Sequence, residues 1–426
     1  MSGTTLTAFF LLVAAAMGTA RFLGAVARRL GQPPLVGEIV AGLLASPTLL
    51  APLGTGPLIP AGVRPPLTAL ADVGLAALMF VIGYELDASS LRGRQKSVLG
   101  LTAGSILLPL AGGAALAVPL AGSYAAGDRT VFVVFVGVAL SITAFPVLAR
   151  ILADRGLTSK PLGTLTLASA SIGDLIAWLC LAAVAAWAGS SGQWRIVLLP
   201  GYLLLLQFAV RPLLAAAARR AARRNLSGAH LLPVFLVGLM CSCAATEWLG
   251  VHFVFGAFAL GAVAPRKGPG GLLTQVEQGM GQVGNLLLPL YFFLAGTAVD
   301  LSGFGTGDVL ALAAVVGTAV VTKMAGAYAG ARCSGLPHGT AFPAAVLMNT
   351  RGLTEIVIAA AALDLHIIDR DFYSIMVVMA LVTTAMTGPL LTLLGVPART
   401  GAEDAAAPAR PPAGTAGRPG LVLDKS

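Results

Sequence analysis

Runs of about twenty apolar residues follow one another along this chain, as in ALADVGLAALMFVIGYE (residues 69–85) and ALAAVVGTAVVTKMAGAYAGA (311–331). At 1.5 Å per residue such a run matches the ~30 Å hydrocarbon core of a bilayer. No soluble fold of 426 residues needs 57% hydrophobic and only 11% charged residues, so the bilayer is the solvent. Lipid offers no partner to a backbone N–H or C=O, and the runs lack the alternation of a barrel strand. An all-α integral membrane protein is therefore expected. The pattern predicts about thirteen spans, roughly 4–24, 34–50, 67–86, 97–120, 130–149, 162–188, 196–217, 231–249, 251–265, 284–300, 307–331, 340–363 and 372–394.

The net charge of +9 is distributed by topology. Of 27 Lys and Arg, Arg21, Arg211, Lys323 and Arg351 fall inside spans. Arg64, Arg129, Arg195 and Arg370 lie on the side the chain reaches first, and the remaining nineteen on the other. The positive-inside rule then puts the N-terminus outside and the C-terminus in the cytoplasm, with the chain multi-pass in the cell (inner) membrane. This distribution gives no reason to expect a nucleic-acid partner. AAAMGTA (14–20) resembles a cleavage region, but no Lys or Arg precedes the first apolar run and Arg28 and Arg29 follow it, so it is read as a first span. Cys180, Cys241, Cys243 and Cys333 lack metal-ligand spacing and read as packing residues. Residues 397–426, rich in Ala, Pro and Gly, are expected to form a short disordered tail.

Two pairs of segments echo each other. GEIVAGLLASP (37–47) resembles GAFALGAVAP (256–265), and FVIGYELD (80–87) shares Phe-x-x-Gly-x-x-x-Asp with FLAGTAVD (293–300). By the charge count Asp87 ends its helix inside and Asp300 outside, so the pattern runs in opposite directions. Inverted-topology repeats over about 34–188 and 251–394 are expected, with spans 1, 7 and 8 outside them. The fourth span of each repeat is interrupted. ALSITAFPVLARIL carries Pro146, which should leave the Ile142 carbonyl without its helical partner, beside the hydroxyls of Ser141 and Thr143. VLMNTRGLTEIVIA is broken by Asn349, Thr350, Arg351 and Gly352. The repeat structure thus predicts two crossed discontinuous helices, with packing kinks as the alternative.

Asp174 sits in ASASIGDLIAWLCLAAVAAW (168–187), twelve residues past Leu162, or about 18 Å along a helix and close to mid-bilayer. Centring a charged Asp there costs on the order of 2.5–3.5 kcal/mol, so it is paired or used. Balanced between desolvation and a nearby cation, one carboxylate can bind either a proton or a metal cation. Asp174 is the expected shared proton and cation site, a ligand for sodium or potassium, with Ser141, Thr143 and Ile142 beside it. The alternative is a structural ion pair. Lys323, in span 11, is either a titrating or neutralised lysine of the site or a packing residue. Arg351 and Glu355 are spaced i, i+4 and can pair, either holding the unwound segment or switching during transport. Asn349 supports the same segment. Glu38 and Asp72 are candidates for an entrance, Glu85 and Asp87 for a hydrated rim, and His252 for a structural helix start. No Walker motif, zinc pattern or hydrolase elbow is present, so neither cofactor nor enzyme activity is expected.

GQPPLVGEIVAGLLASPTLL, LMFVIGYELD, SITAFPVLARILAD, GVHFVFGAFALGAVAP, LPLYFFLAGTAVDL and the long block from MNTRGLTEIVIAAAALDLHIIDRDF to TTAMTGPLL resemble the monovalent cation:proton antiporter-2 family. The resemblance covers nearly all of residues 31–394 and is nearest to the plant cation/proton exchangers and their bacterial relatives. It implies a sodium/proton antiporter-like fold of thirteen helices, with a core moving against a dimerisation domain in a homodimer. Residues 1–396 would be the antiporter domain. The resemblance puts Asp174 at the ion-carrying position, Lys323 at the basic residue of the core, and Ser141 and Thr143 in the first unwound crossing. One departure matters: members commonly carry Asp, Asn or Gln before the carrier, and this chain has Gly173. Lys323 must then pair with Asp174, pair elsewhere or lose its proton. A single carboxylate favours electroneutral one-for-one exchange. The tail does not resemble the nucleotide-binding domain of the glutathione-gated potassium efflux branch, so gating by that route is not expected.

The expected function is exchange of protons for sodium or potassium by alternating access, with spans 4–6 and 11–13 as the moving core. An organic-solute or anion transporter on the same scaffold is the alternative, with Arg351 as the feature that favours an anion. A cation channel would need repeated filter loops, and the sequence has none.

Overall fold

The computed structural model describes residues 3–46, 58–85, 95–157, 160–188, 193–250, 252–266 and 271–396. Pro47, Asp87, Arg92, Arg94, Lys267 and the tail from 397 lie outside the described residues. The regular structure among the described residues is helical, apart from one isolated bridge between Ala125 and Ile368. In chain order the helices are α1 (Gly3–Arg29), α2 (Pro34–Leu44), α3 (Arg64–Glu85), α4 (Gln95–Tyr124), α5 (Arg129–Ser141), α6 (Phe145–Asp154), α7 (Pro161–Ala188) and α8 (Leu199–Arg223). There follow α9 (Leu232–Trp248), α10 (Phe253–Val263), α11 (Leu272–Thr297), α12 (Thr306–Cys333), α13 (His338–Met348), α14 (Leu353–Asp364) and α15 (Arg370–Leu393).

Eight of the described helices are long and apolar enough to cross a bilayer: α1, α3, α4, α7, α8, α9, α12 and α15, with α9 counted together with the short turn before it. The shorter apolar α2, α5 and α10 accompany them. Helix α8 contains a π-helical turn at Leu206–Val210. Pro212 follows at once and cannot donate to the carbonyl four residues back, so the hydrogen-bond register shifts ahead of it. Helix α11 begins at Leu272, twelve residues before the apolar run in the sequence suggests. Its first turns are polar on one face only: Leu273, Val276, Met280 and Gly284 fall at helical spacing and are buried.

The echoing glycines do the same job twice. A Cβ on Gly42 of α2 would lie 2.0 Å from the Phe293 carbonyl of α11, and one on Gly261 of α10 would lie 2.0 Å from the Phe80 carbonyl of α3. The converse contacts match as well, with Gly296 at 2.3 Å from the Ile39 carbonyl and Gly83 at 2.2 Å from the Phe258 carbonyl. Helix α2 therefore meets α11 as α10 meets α3, backbone against backbone, the close approach that small residues permit in membranes. Gly37 packs on the Leu23 carbonyl of α1 and Gly256 on the Ser242 carbonyl of α9, a third matched pair. Elsewhere in the bundle α4 and α12 cross at Gly104 and Gly326, each of which would place a Cβ within 2.2 Å of the other's carbonyl.

Candidate functional site

The first interruption falls between α5 and α6. Helix α5 stops at Ser141, Ile142 is extended (φ −75°, ψ 146°), and α6 starts at Phe145. The second separates α13 from α14. There Gly352 adopts φ 147°, a conformation open to glycine alone, and a Cβ would also press on Val147 at 3.1 Å. Each break supplies what the other lacks. The Ala144 N–H donates to the Thr350 carbonyl (3.0 Å), and the Thr143 hydroxyl donates to the Met348 carbonyl (2.9 Å). Helix ends deep in a membrane protein leave open N–H and C=O groups, and here the crossing satisfies them.

Charged side chains sit at the ends where the helix dipole favours them. The ammonium of Lys323 (α12), fully buried, donates to the carbonyls of Ser105 (2.9 Å) and Ser141. Arg351, also fully buried, donates to the carbonyls of Ala139 (3.2 Å) and Leu140 and to Glu355 Oε1 (2.9 Å). The last carbonyls of α5, at its negative end, thus face two cations. At the opposite, positive end stands an acid: the carboxylate of Asp174 on α7 faces the Phe145 N–H that opens α6. Asp174 is 2% exposed, and its Oδ1 has no protein partner.

The other sequence candidates separate into groups. Ser141 Oγ folds back on Val138 O (2.7 Å), and Thr143 bridges to α13. Asn349, 1% exposed, has neither amide atom partnered by protein. Lys323 Nζ is taken up by the Ser105 and Ser141 carbonyls. Glu38 lies with Arg21, Arg28 and Glu85 on a cavity of ≈500 Å3, whose inner wall includes Phe145 and Val147. Asp72 does not line that cavity. It lies half-buried on α3, on the far side of the cavity-lining Leu78, Val81 and Ile82. Three participants carried no expectation from the sequence. Ser105 and Phe145 act through backbone atoms, which leave no trace in residue type, and the Thr384 hydroxyl holds the Arg351 carbonyl. The TT pair of α15 was the only available signal for that last contact. Among the described residues no group of three or more His, Cys, Asp or Glu forms a metal cluster. A cation held here would have one carboxylate with carbonyl and hydroxyl oxygens.

A profile of the family described as sodium/hydrogen exchanger, transmembrane, matches residues 13–396. The Na(+)/H(+) antiporter NhaS4 of Synechocystis sp. is 35% identical over 404 residues, covering 92% of this chain and 98% of that one. Cation/H(+) antiporter 20 of Arabidopsis thaliana is 34% identical over 90% of this chain, and K(+)/H(+) antiporter 1 of Saccharomyces cerevisiae 31% over 85%. The chain spans 48% and 43% of the length of those two relatives. Among solved structures, the sodium proton antiporter MjNhaP1 of Methanocaldococcus jannaschii superposes with a TM-score of 0.67 over 92% of this chain and 98% of that one. At 14% identity that likeness establishes the fold. Profile and relatives extend from α1 to the end of α15, so the whole helical bundle is accounted for by one ancestry: the chain belongs to the sodium/hydrogen exchanger family.

Proposed function

We propose that this protein exchanges protons for sodium or potassium across the membrane by alternating access, with Asp174 carrying each in turn. The observation that carries this reading is a buried carboxylate that faces the amide end of α6, with its Oδ1 unpartnered by protein. A proton and a cation compete for that one oxygen. The relatives are named as cation/proton antiporters, which leaves the organic-solute and anion alternative without support.

The charge balance suggests the stoichiometry. Lys323 and Arg351 supply two positive charges around the crossing, and Asp174 and Glu355 two negative ones. Proton or alkali cation adds the same single charge, so the loaded core carries equal charge in both directions. Exchange is one-for-one and moves no net charge. We further propose that α4–α7 and α12–α15 move as the core against the remaining helices, which form the contact of a homodimer. The chain is placed in the cell membrane with the N-terminus outside, and the Arg28 end of the bundle, with its cavity, faces the cytoplasm.

Proteoliposomes loaded with a pH-sensitive dye test this. Added sodium or potassium should dequench the dye for the parent chain, at a rate independent of a clamped potential. Asp174→Asn should abolish the response. Full exchange by that variant would remove the carrier and this reading with it.

A further inference from the structure

Two half-helices end their carbonyl termini at the crossing, and the protein treats the two ends differently. That of α5 is covered by Lys323 and Arg351. That of α13 meets a neutral donor, the Thr143 hydroxyl on the Met348 carbonyl. A helix C-terminus carries roughly half a negative elementary charge. Helix α13 keeps what α5 has had neutralised.

Side-chain atoms unpartnered by protein gather at this same end. Asn349 Oδ1, Asn349 Nδ2 and Thr350 Oγ1 make no hydrogen bond to protein, in residues only 1% and 0% exposed. Ser141 Oγ and Thr143 Oγ1, by contrast, each donate to a carbonyl. An unmatched buried polar group is costly, and a fold tolerates several in one place where a ligand completes them. The placement fits Asp174. Of two successive amides, that of Ala144 holds the Thr350 carbonyl and that of Phe145 faces the Asp174 carboxylate. Carrier and second break thereby meet neighbouring peptide units, whose Cα atoms lie about 3.8 Å apart.

We propose that Asn349 Oδ1 and Thr350 Oγ1, at the C-terminal end of α13, complete with Asp174 Oδ1 the oxygen shell of the transported monovalent cation and set which alkali ion it accepts. This rests on the antiport reading and deepens it. One carboxylate balances one charge, and neutral amide and hydroxyl oxygens replace lost water without adding charge. A proton needs only Oδ1. The two residues therefore act on the cation half of the cycle and leave the proton half alone.

The test uses the full chain in proteoliposomes with lithium, sodium, potassium and rubidium. Thr350→Val and Asn349→Ala should raise the cation KM about tenfold or more, the equivalent of one charge-assisted contact, and should change the order of alkali preference. The pH midpoint extrapolated to zero cation, which reports the proton half alone, should stay with the parent. Stabilisation of the purified protein against heat by added cation should weaken in parallel, a readout independent of transport. Thr350→Ser should behave as the parent. If the truncations fail to fold, Asn349→Gln, which keeps the oxygen but displaces it, should still change the alkali preference. Parental KM and preference in folded variants would overturn this assignment alone, provided exchange still depends on Asp174. Exchange that survives Asp174→Asn would instead bring down the antiport reading itself.

Discussion

Lys323 shows how much a buried charge depends on backbone atoms. Its ammonium is satisfied by the Ser105 and Ser141 carbonyls, so the lysine fastens α4, α5 and α12 at one point. Lys323→Ala would leave two carbonyls unmatched and a void where the side chain ran, a loss of about 2–5 kcal/mol. The expected result is a marked fall in melting temperature in detergent. Surviving protein should also show a displaced pH midpoint of exchange, because the group removed lies within electrostatic reach of Asp174. A displaced midpoint with unchanged stability would make it a titrating partner of Asp174. The identities of Asp174, Lys323, Arg351 and Glu355 stand out in the sequence because charge is rare at such depth. What each touches does not, since the acceptors are mostly main-chain carbonyls common to every residue type.

At the scale of helices, much more was legible. Pro146 and the Asn349–Gly352 stretch mark the two breaks, and the structure interrupts its helices at 142–144 and 349–352. The repeated Gly-x-x-x-x-Gly and Phe-x-x-Gly patterns become the matched α2–α11 and α10–α3 contacts. The apolar run underestimates α11 at its N-terminal end, because the polar first turns conceal an amphipathic continuation. The glycine contacts make a paired prediction. Gly42→Ala and Gly261→Ala each put a methyl 2.0 Å from a carbonyl, so two helix backbones must separate, at a cost of about 1–3 kcal/mol or more. Gly317→Ala, in α12 with nothing within 4 Å of its Cβ, should gain up to about 1 kcal/mol from helix propensity. Thermal melting of the three variants checks this. Equal effects at all three sites would mean that the close approaches carry no weight.

For the whole molecule, the question is which way the site opens. The ≈500 Å3 cavity reaches from Arg28 and Glu85 at one end of the bundle to Phe145, whose amide faces the carrier. That volume is enough for on the order of 15 waters at ~30 Å3 each. Water can therefore approach Asp174 from this end to within one residue, while on α3 the other end lies beyond Asp72. With the proposed orientation of the chain, this is the cytoplasm-open form of the cycle. A cysteine at Leu288, on the cavity wall of α11, should react with a membrane-impermeant thiol reagent supplied from the cytoplasmic side. A cysteine at Ser302, exposed just past the other end of the same helix, should react from the outside. The background needs Cys180, Cys241, Cys243 and Cys333 replaced, since all four are free thiols. Leu288→Cys labelling should fall when a large outside excess of cation drives the carrier outward, and Ser302→Cys should not change. Reaction of both cysteines from one side would refute the orientation. Reaction of Leu288→Cys equally from both sides would describe a continuous pore, which a one-carboxylate exchanger cannot have.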